Sequence, residues 1–386
     1  MKYALSVLLL FILLTQTQCS WNLPLLDCES GVIDTTTVSC GSFVEVNSQL
    51  SCRSEQHESI LLPNNKVLII SGFRCSKNSG SEAELYDVNT GNVTEIPNSP
   101  IGSLGQAYVS IPNGDVLLIG GTKANTQNYR DSTVYLYSYS DNAFEVVGYL
   151  KKARRYHTAT LLNSTKILIV GGEGNLDNLK DVELYDVVTH TSTVITTLTE
   201  QLMRHTATKL ENGSVLICGG VKSSTNQSAL KNAYLYQNNV ITPISGGMGS
   251  ARVYHKSVLL QDGKVIILGG ADGLPLNNIS NTIEMYDPST QDFNVIGTLG
   301  LGRIFFAVSY DVFANCPLLI FGGRIASSPV SSAISIDPSN FIAKQLDLQM
   351  QQARERCSAV QLPNGVILLT GGDSADGKSI EKYIPE

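Results

Sequence analysis

The side chains best suited to chemistry in this sequence recur at a fixed spacing. His57, His157, His205 and His255 each stand 15 residues before a glycine, namely Gly72, Gly172, Gly220 and Gly270. Imidazoles serve as metal ligands and proton carriers, but a metal site needs its donors to converge on one point. One histidine at the same place in four different segments describes instead a half-buried ring bonded to a neighbouring segment. Arginine gathers just ahead of these histidines, as Arg53, Arg154 and Arg155, Arg204, Arg252, Arg303, and Arg354 with Arg356. Guanidinium groups collected at one level either bind an anion or pair with carboxylates and carbonyls of their own fold. The stretch GDSADGKS over 372–379 matches the phosphate-loop pattern GxxxxGK[ST] letter for letter. Such a loop must open a helix, whose amides and dipole hold the phosphates. Here the next segment, SIEKYIPE, reads as a strand, so nucleotide binding is not expected. No HExxH or GxSxG pattern occurs.

The elements that position these residues follow from the glycines. The strings IISG, LIGG, LIVGG, LICGG, IILGG, LIFGG and LLTGG end at Gly72, Gly121, Gly172, Gly220, Gly270, Gly323 and Gly372, at intervals of 49, 51, 48, 50, 53 and 49 residues. A period near 50 marks a repeated structural unit. Within a unit, short β-rich runs are separated by turn signals such as Asn113-Gly114 and Asp262-Gly263. The third unit reads RRYHTATLL, KILIVGG, DVELYDV and STVIT, four strands in sequence. A four-stranded antiparallel sheet with two apolar faces must pack against copies of itself, and radial packing of such sheets makes a β-propeller. The expected fold is therefore all-β, seven four-stranded blades, with six blades as the fallback. The last unit stops after its third strand, whereas FVEV at 43–46 resembles FEVV at 144–147 in its spacing from the following histidine. Residues 43–46 are expected to supply the missing fourth strand and close the ring.

Outside the repeats, residues 1–20 have the layout of a secretory signal peptide: Lys2, an apolar run from Ala4 to Leu14, then small and polar residues. Residues 21–42 form an amino-terminal segment expected to contain disulfides, and 43–386 the propeller. In an exported chain Cys28, Cys40, Cys52, Cys75, Cys316 and Cys357 are the disulfide candidates, with local pairs such as Cys28–Cys40 and Cys52–Cys75 the economical arrangement, leaving Cys316 and Cys357 for each other. Cys218, inside VLICGG, is expected to be a buried free thiol. Sequons at Asn92, Asn163, Asn212, Asn226 and Asn278 are candidate glycosylation sites. A net charge of −7 argues against a nucleic-acid partner, and no later apolar run is long enough for a membrane span.

The glycine pair, the tyrosine of the third strand (Tyr86, Tyr137, Tyr185, Tyr236, Tyr286, Tyr383) and an aromatic seven residues later, as in Tyr137 with Phe144 and Tyr286 with Phe293, resemble the kelch repeat family. The resemblance covers nearly everything after about residue 43. It departs where the family usually places tryptophan and this chain has phenylalanine, and where Ser71-Gly72 replaces a glycine pair. The resemblance implies a central channel lined by each blade's first strand, so that Arg53, Arg155, Arg204, Arg252, Arg303 and Arg354 would ring its mouth. The function this implies is a secreted extracellular module binding a protein or glycan, without nucleic acid, membrane insertion or cofactor. Two alternatives stay open. RVYHKSVLLQDGKVIILGG over 252–270 is similar to the segment bearing a copper-ligand pair in galactose and glyoxal oxidases, which would make Tyr254 and His255 copper ligands of a radical oxidase. Exported kelch propellers also include sugar mutarotases or epimerases.

Overall fold

The computed structural model describes residues 41–51, 56–70, 83–100, 104–122, 129–176, 179–223, 228–276, 278–310, 317–372 and 377–385. Every regular element among them is a strand, and all but the two-stranded ribbon of Arg324–Ile325 and Ser328–Pro329 assemble into seven four-stranded antiparallel blades of a propeller. We letter the strands of each blade a to d, with a at the central channel. Blade three shows the plan: a is Thr158–Asn163, b Lys166–Val170, c Asp181–Asp186 and d Thr191–Thr197, paired in that order.

Strand b explains why the blades pack as they do. Its seven copies include VLLI at 116–119, VIIL at 265–268 and ILLT at 367–370, each buried along its whole length. A strand without a polar face must be covered on both sides, and in a ring of blades each one is. The core accordingly falls into interfaces between successive blades. Leu168 and Val170 of blade three meet Val215 and Ile217 of blade four, and Cys218 and Leu216 of blade four meet Val265 and Ile267 of blade five. The ring closes where Val67, Ile69 and Tyr86 of blade one pack on Leu368 and Ile380 of blade seven. The strand-c tyrosines are buried in these interfaces, and the Tyr137 and Tyr236 hydroxyls donate to Asn142 and Asn239 in their own c-to-d turns, each over 2.9 Å. Ile336 fills the same place in blade six.

Closure is by the amino-terminal strand. Ser42–Glu45 is strand d of blade seven and pairs antiparallel with strand c, Ile380–Ile384, placing Phe43 opposite Tyr383. In blades two to six the second glycine of the pair secures its blade to the next. In blade four Gly219 and Gly220 have φ of +70° and +92°. The Gly220 amide donates over 2.7 Å to the Arg252 carbonyl of blade five. A Cβ on Gly219 would collide with the His255 ring of that same blade. Only glycine adopts this conformation and leaves that space empty.

Candidate functional site

The chain approaches each strand a through four residues that meet different surroundings. The last of the four, at the hub of the ring, is His57, Gln106, His157, His205, His255, Phe306 or Cys357 in blades one to seven. The residue before it, which we call the collar residue, is Gln56, Gly105, Tyr156, Arg204, Tyr254, Phe305 or Arg356. Three residues before the hub lies a third position, filled by Arg154, Arg252, Arg303 and Arg354 in blades three, five, six and seven.

The arginines of this third position are not at the channel mouth. Arg154, Arg252 and Arg354 are 0% exposed and Arg303 is 2% exposed. Each is a clamp on its own blade. Arg252 donates from Nη1 to the carbonyls of Gly269 and Thr282 over 2.8 and 3.0 Å, and from Nη2 to Glu284 Oε1 over 2.5 Å. Arg154 with Glu183 and Arg354 with Glu381 repeat the arrangement. The second oxygen of Glu284 accepts the Gly249 amide over 2.8 Å, so the pair ties the d-to-a crossing to strand c. Blade six lacks the carboxylate, because Ile334 holds the register position of Glu284. Arg303 there donates to the Gly322 and Ser332 carbonyls and the Ser332 hydroxyl, and burial pulls its pKa down to about 10. The expectation that Arg252, Arg303 and Arg354 offer charge to a ligand is thus corrected. Their Nη donors are taken up by their own blades and the whole side chains are out of a ligand's reach. Arg155 is occupied too, donating from Nε to Glu173 over 2.8 Å beside the Arg130–Glu173 pair. Arg53 lies outside the described residues.

Three of the four hub histidines are joints between blades, whereas both ring nitrogens of His157 are buried without a partner among the described residues. His57 shares a 2.7 Å hydrogen bond with Thr370 of blade seven, His205 a 2.8 Å bond with Thr158 of blade three, and His255 a 3.0 Å bond with Thr206 of blade four. Burial drives His205 and His255 down to about 3 and His157 well below its usual range, so these rings are neutral. The geometry gives the copper alternative little support. His255 turns inward to Thr206, while Tyr254 turns to the mouth, its ring 4.5 Å from that of Phe305 and under the Arg204 guanidinium at 5.1 Å. A fixed cation against the phenol opposes a metal there. Among the described residues no group of three or more His, Cys, Asp or Glu is arranged to hold a metal ion.

The collar is the accessible part of this machinery. All seven collar residues have left-handed φ, between +55° and +72°, a conformation costing a non-glycine residue about 1–2 kcal/mol. Inter-blade hydrogen bonds hold it. The Tyr156 amide donates to the Gly105 carbonyl, Arg204 to Tyr156, Arg356 to Phe305 and Gln56 to Arg356, over 2.8, 2.9, 2.7 and 3.3 Å. The side chains of blades three to seven then stack in one continuous row. The Arg204 guanidinium lies 4.2 Å from the Tyr156 ring, Tyr254 meets Phe305, and the Arg356 guanidinium lies 4.3 Å over Phe305. Gly105 leaves the row open at blade two.

The two collar arginines differ in charge. Arg356 pairs with Glu355 over 3.1 Å. The Arg204 side chain has no hydrogen bond or ion pair with any described residue and is held by the two tyrosine faces. Below the collar a cavity of about 410 Å³ runs into the channel, lined also by Glu58, Thr206, Lys256 and Ser358. Sequence reasoning missed the collar as a unit, although aligning the residue before each hub position would have shown it.

Several further expectations find their places here. Asn92, Asn163, Asn212 and Asn278 are exposed, although the Asn278 Nδ2 donates to Asp272 over 2.6 Å; Asn226 is outside the described residues. Cys218 is a buried free thiol, and so is Cys357. Cys28, Cys40, Cys52, Cys75 and Cys316 lie outside the described residues. The phosphate-loop look-alike runs into strand c of blade seven, and Ser379 accepts from Arg354 Nη2 over 2.9 Å.

The family model of the kelch motif matches residues 154–199 and 252–300, which are blades three and five. Both matches begin on a clamp arginine. Among solved structures the chain is similar to a fungal alcohol oxidase of the AA5 family, described as catalytically diverse and in complex with copper. That similarity has a TM-score of 0.69 and 16% identity, over 91% of this chain and 77% of the other. At that identity the likeness concerns the fold alone. No curated protein matches the chain in sequence.

Proposed function

We propose that this kelch-motif propeller is a secreted binding module whose channel mouth takes an acidic group of an extracellular protein or glycan. The observation that carries the reading is Arg204. A guanidinium held between the faces of Tyr156 and Tyr254, without a counter-ion among the described residues, has already lost the side-chain freedom that binding would otherwise cost. Its remaining donors suit a planar carboxylate. The signal-like residues 1–20 and the five sequons support export. The likeness to the copper-bound alcohol oxidase, at 16% identity, concerns the fold alone and lends no support to a redox reading.

Arrays of acidic and neutral glycans and peptides, probed with the purified protein, test this. Acidic ligands should be preferred, binding should weaken with salt, and Arg204→Ala should weaken it about tenfold or more. Arg204→Lys, which keeps charge but loses the planar stack, should fall between. Equal binding of acidic and neutral ligands, or an unaffected Arg204→Ala protein, would overturn the reading.

A further inference from the structure

Beneath the collar most of the strand-a side chains that open on the channel are apolar or hydrogen-bonded. At the first residue of strand a the seven blades present Glu58, Ala107, Thr158, Thr206, Lys256, Ala307 and Ser358. Thr158 and Thr206 are bonded to His205 and His255, and the Ser358 hydroxyl accepts the Ser59 amide over 3.1 Å. Three groups break this pattern. The Glu58 carboxyl and the Lys256 ammonium both line the cavity, and neither has a hydrogen bond or ion pair with a described residue. The hydroxyl of Tyr108, the next residue along strand a of blade two, is buried without a partner.

Glu58 belongs to blade one and Lys256 to blade five, so the ring sets one negative and one positive group on opposite sides of the channel. Both side chains are exposed to the open channel, and they stand near enough for Lys256 to lower the Glu58 carboxyl, while Glu58 in turn helps raise the Tyr108 phenol. Yet they do not meet as an ion pair. Opposite charges held apart across the channel are complementary to a molecule carrying the same two charges in reverse order.

We infer that the channel below the collar binds a small zwitterion of the amino-acid or dipeptide class, its ammonium toward Glu58 and its carboxylate toward Lys256. The cavity of about 410 Å³ is within the range of small-molecule sites. The inference is separate from the reading of the collar: it needs both charges on the ligand and the deep lysine, whereas the collar needs only an anion and Arg204.

Titration calorimetry of the full chain with the twenty free amino acids and the dipeptide Gly-Gly, up to about 10 mM, tests it. At least one should bind, and its N-acetylated and its carboxy-amidated forms should each bind tenfold or more weakly. Glu58→Gln should erase the penalty for acetylation, and Lys256→Met the penalty for amidation, in proteins whose circular dichroism matches the parent. Absence of binding by every probe would overturn the inference, as would an acetylated form that binds as well as its parent. So would loss of binding in Arg204→Ala with Lys256→Met unaffected, which would move the carboxylate to the collar.

Discussion

Arg252 Nη2 lies 2.5 Å from Glu284 Oε1 with both side chains wholly out of solvent. Removing one partner of such a pair leaves a buried uncompensated charge, a loss of about 3–5 kcal/mol. Arg252→Met should therefore lower the unfolding free energy by that amount, and Arg252→Met with Glu284→Leu should recover most of it. Arg303 in blade six gives the contrast. With Ile334 at the carboxylate position nothing charged is stranded, so Arg303→Met should cost about 2 kcal/mol or less. Equal losses in the two blades, read from urea unfolding, would show that the carboxylate contributes nothing.

The hub histidines make the ring sensitive to acid. His205 and His255 stay neutral down to about 3, whereas the unfolded chain protonates them near 6.5, and His157 behaves alike. Protons are then taken up on unfolding across that window. The stability these rings contribute is present above pH 6.5 and is lost as pH falls toward 3, by about 1.4 kcal/mol per pH unit for each ring. Melting temperature should fall steadily from pH 7 to pH 5, and His205→Gln should make that fall shallower. A flat profile over this range would mean that the rings are protonated in the folded state.

Two glycines of blade four separate strain from collision. Gly213 has φ +80° with open space where a Cβ would stand, and Gly219 has φ +70° with the Arg252 carbonyl at 2.7 Å and the His255 ring closer still. Gly213→Ala should cost only the left-handed backbone, about 1–2 kcal/mol. Gly219→Ala should add overpacking against blade five and reach about 3 kcal/mol or more. If thermal melts place the two variants together, the blade interface yields more easily than its geometry implies.

The blade count and the closing strand were legible because both rest on spacing, which survives divergence of the residues between. The arginines were not. Arg154, Arg155, Arg204 and Arg356 sit within a few residues of one another in the repeat, yet one is a buried clamp, one is paired to Glu173, and two reach the collar. A shift of a single position changes the surroundings completely. The repeats themselves held the missing signal, since the clamp arginine of blades three, five and seven goes with Glu183, Glu284 and Glu381, while blade four has Leu202 packed with Tyr234. Glu58 and Lys256 carried no such signal. They are about 200 residues apart and come together only when the ring closes.

That closure depends on residues that repeat counting alone would leave out. Phe43 sits 5.1 Å from the Tyr383 ring and 6.1 Å from Phe321 of blade six, so the closing strand also binds two blades together. Phe43→Ala should cost about 2 kcal/mol, below the value for a fully buried ring because Phe43 is only half-buried. Removing residues 1–46 should do more. It would leave Ile380–Ile384 as an open edge and uncover Tyr383, conditions that favour edge-to-edge association. Such a protein should melt at lower temperature and with less cooperativity, and should self-associate in sedimentation. If it melts as the full chain does and stays monomeric, the interface between blades one and seven holds the ring without its last strand.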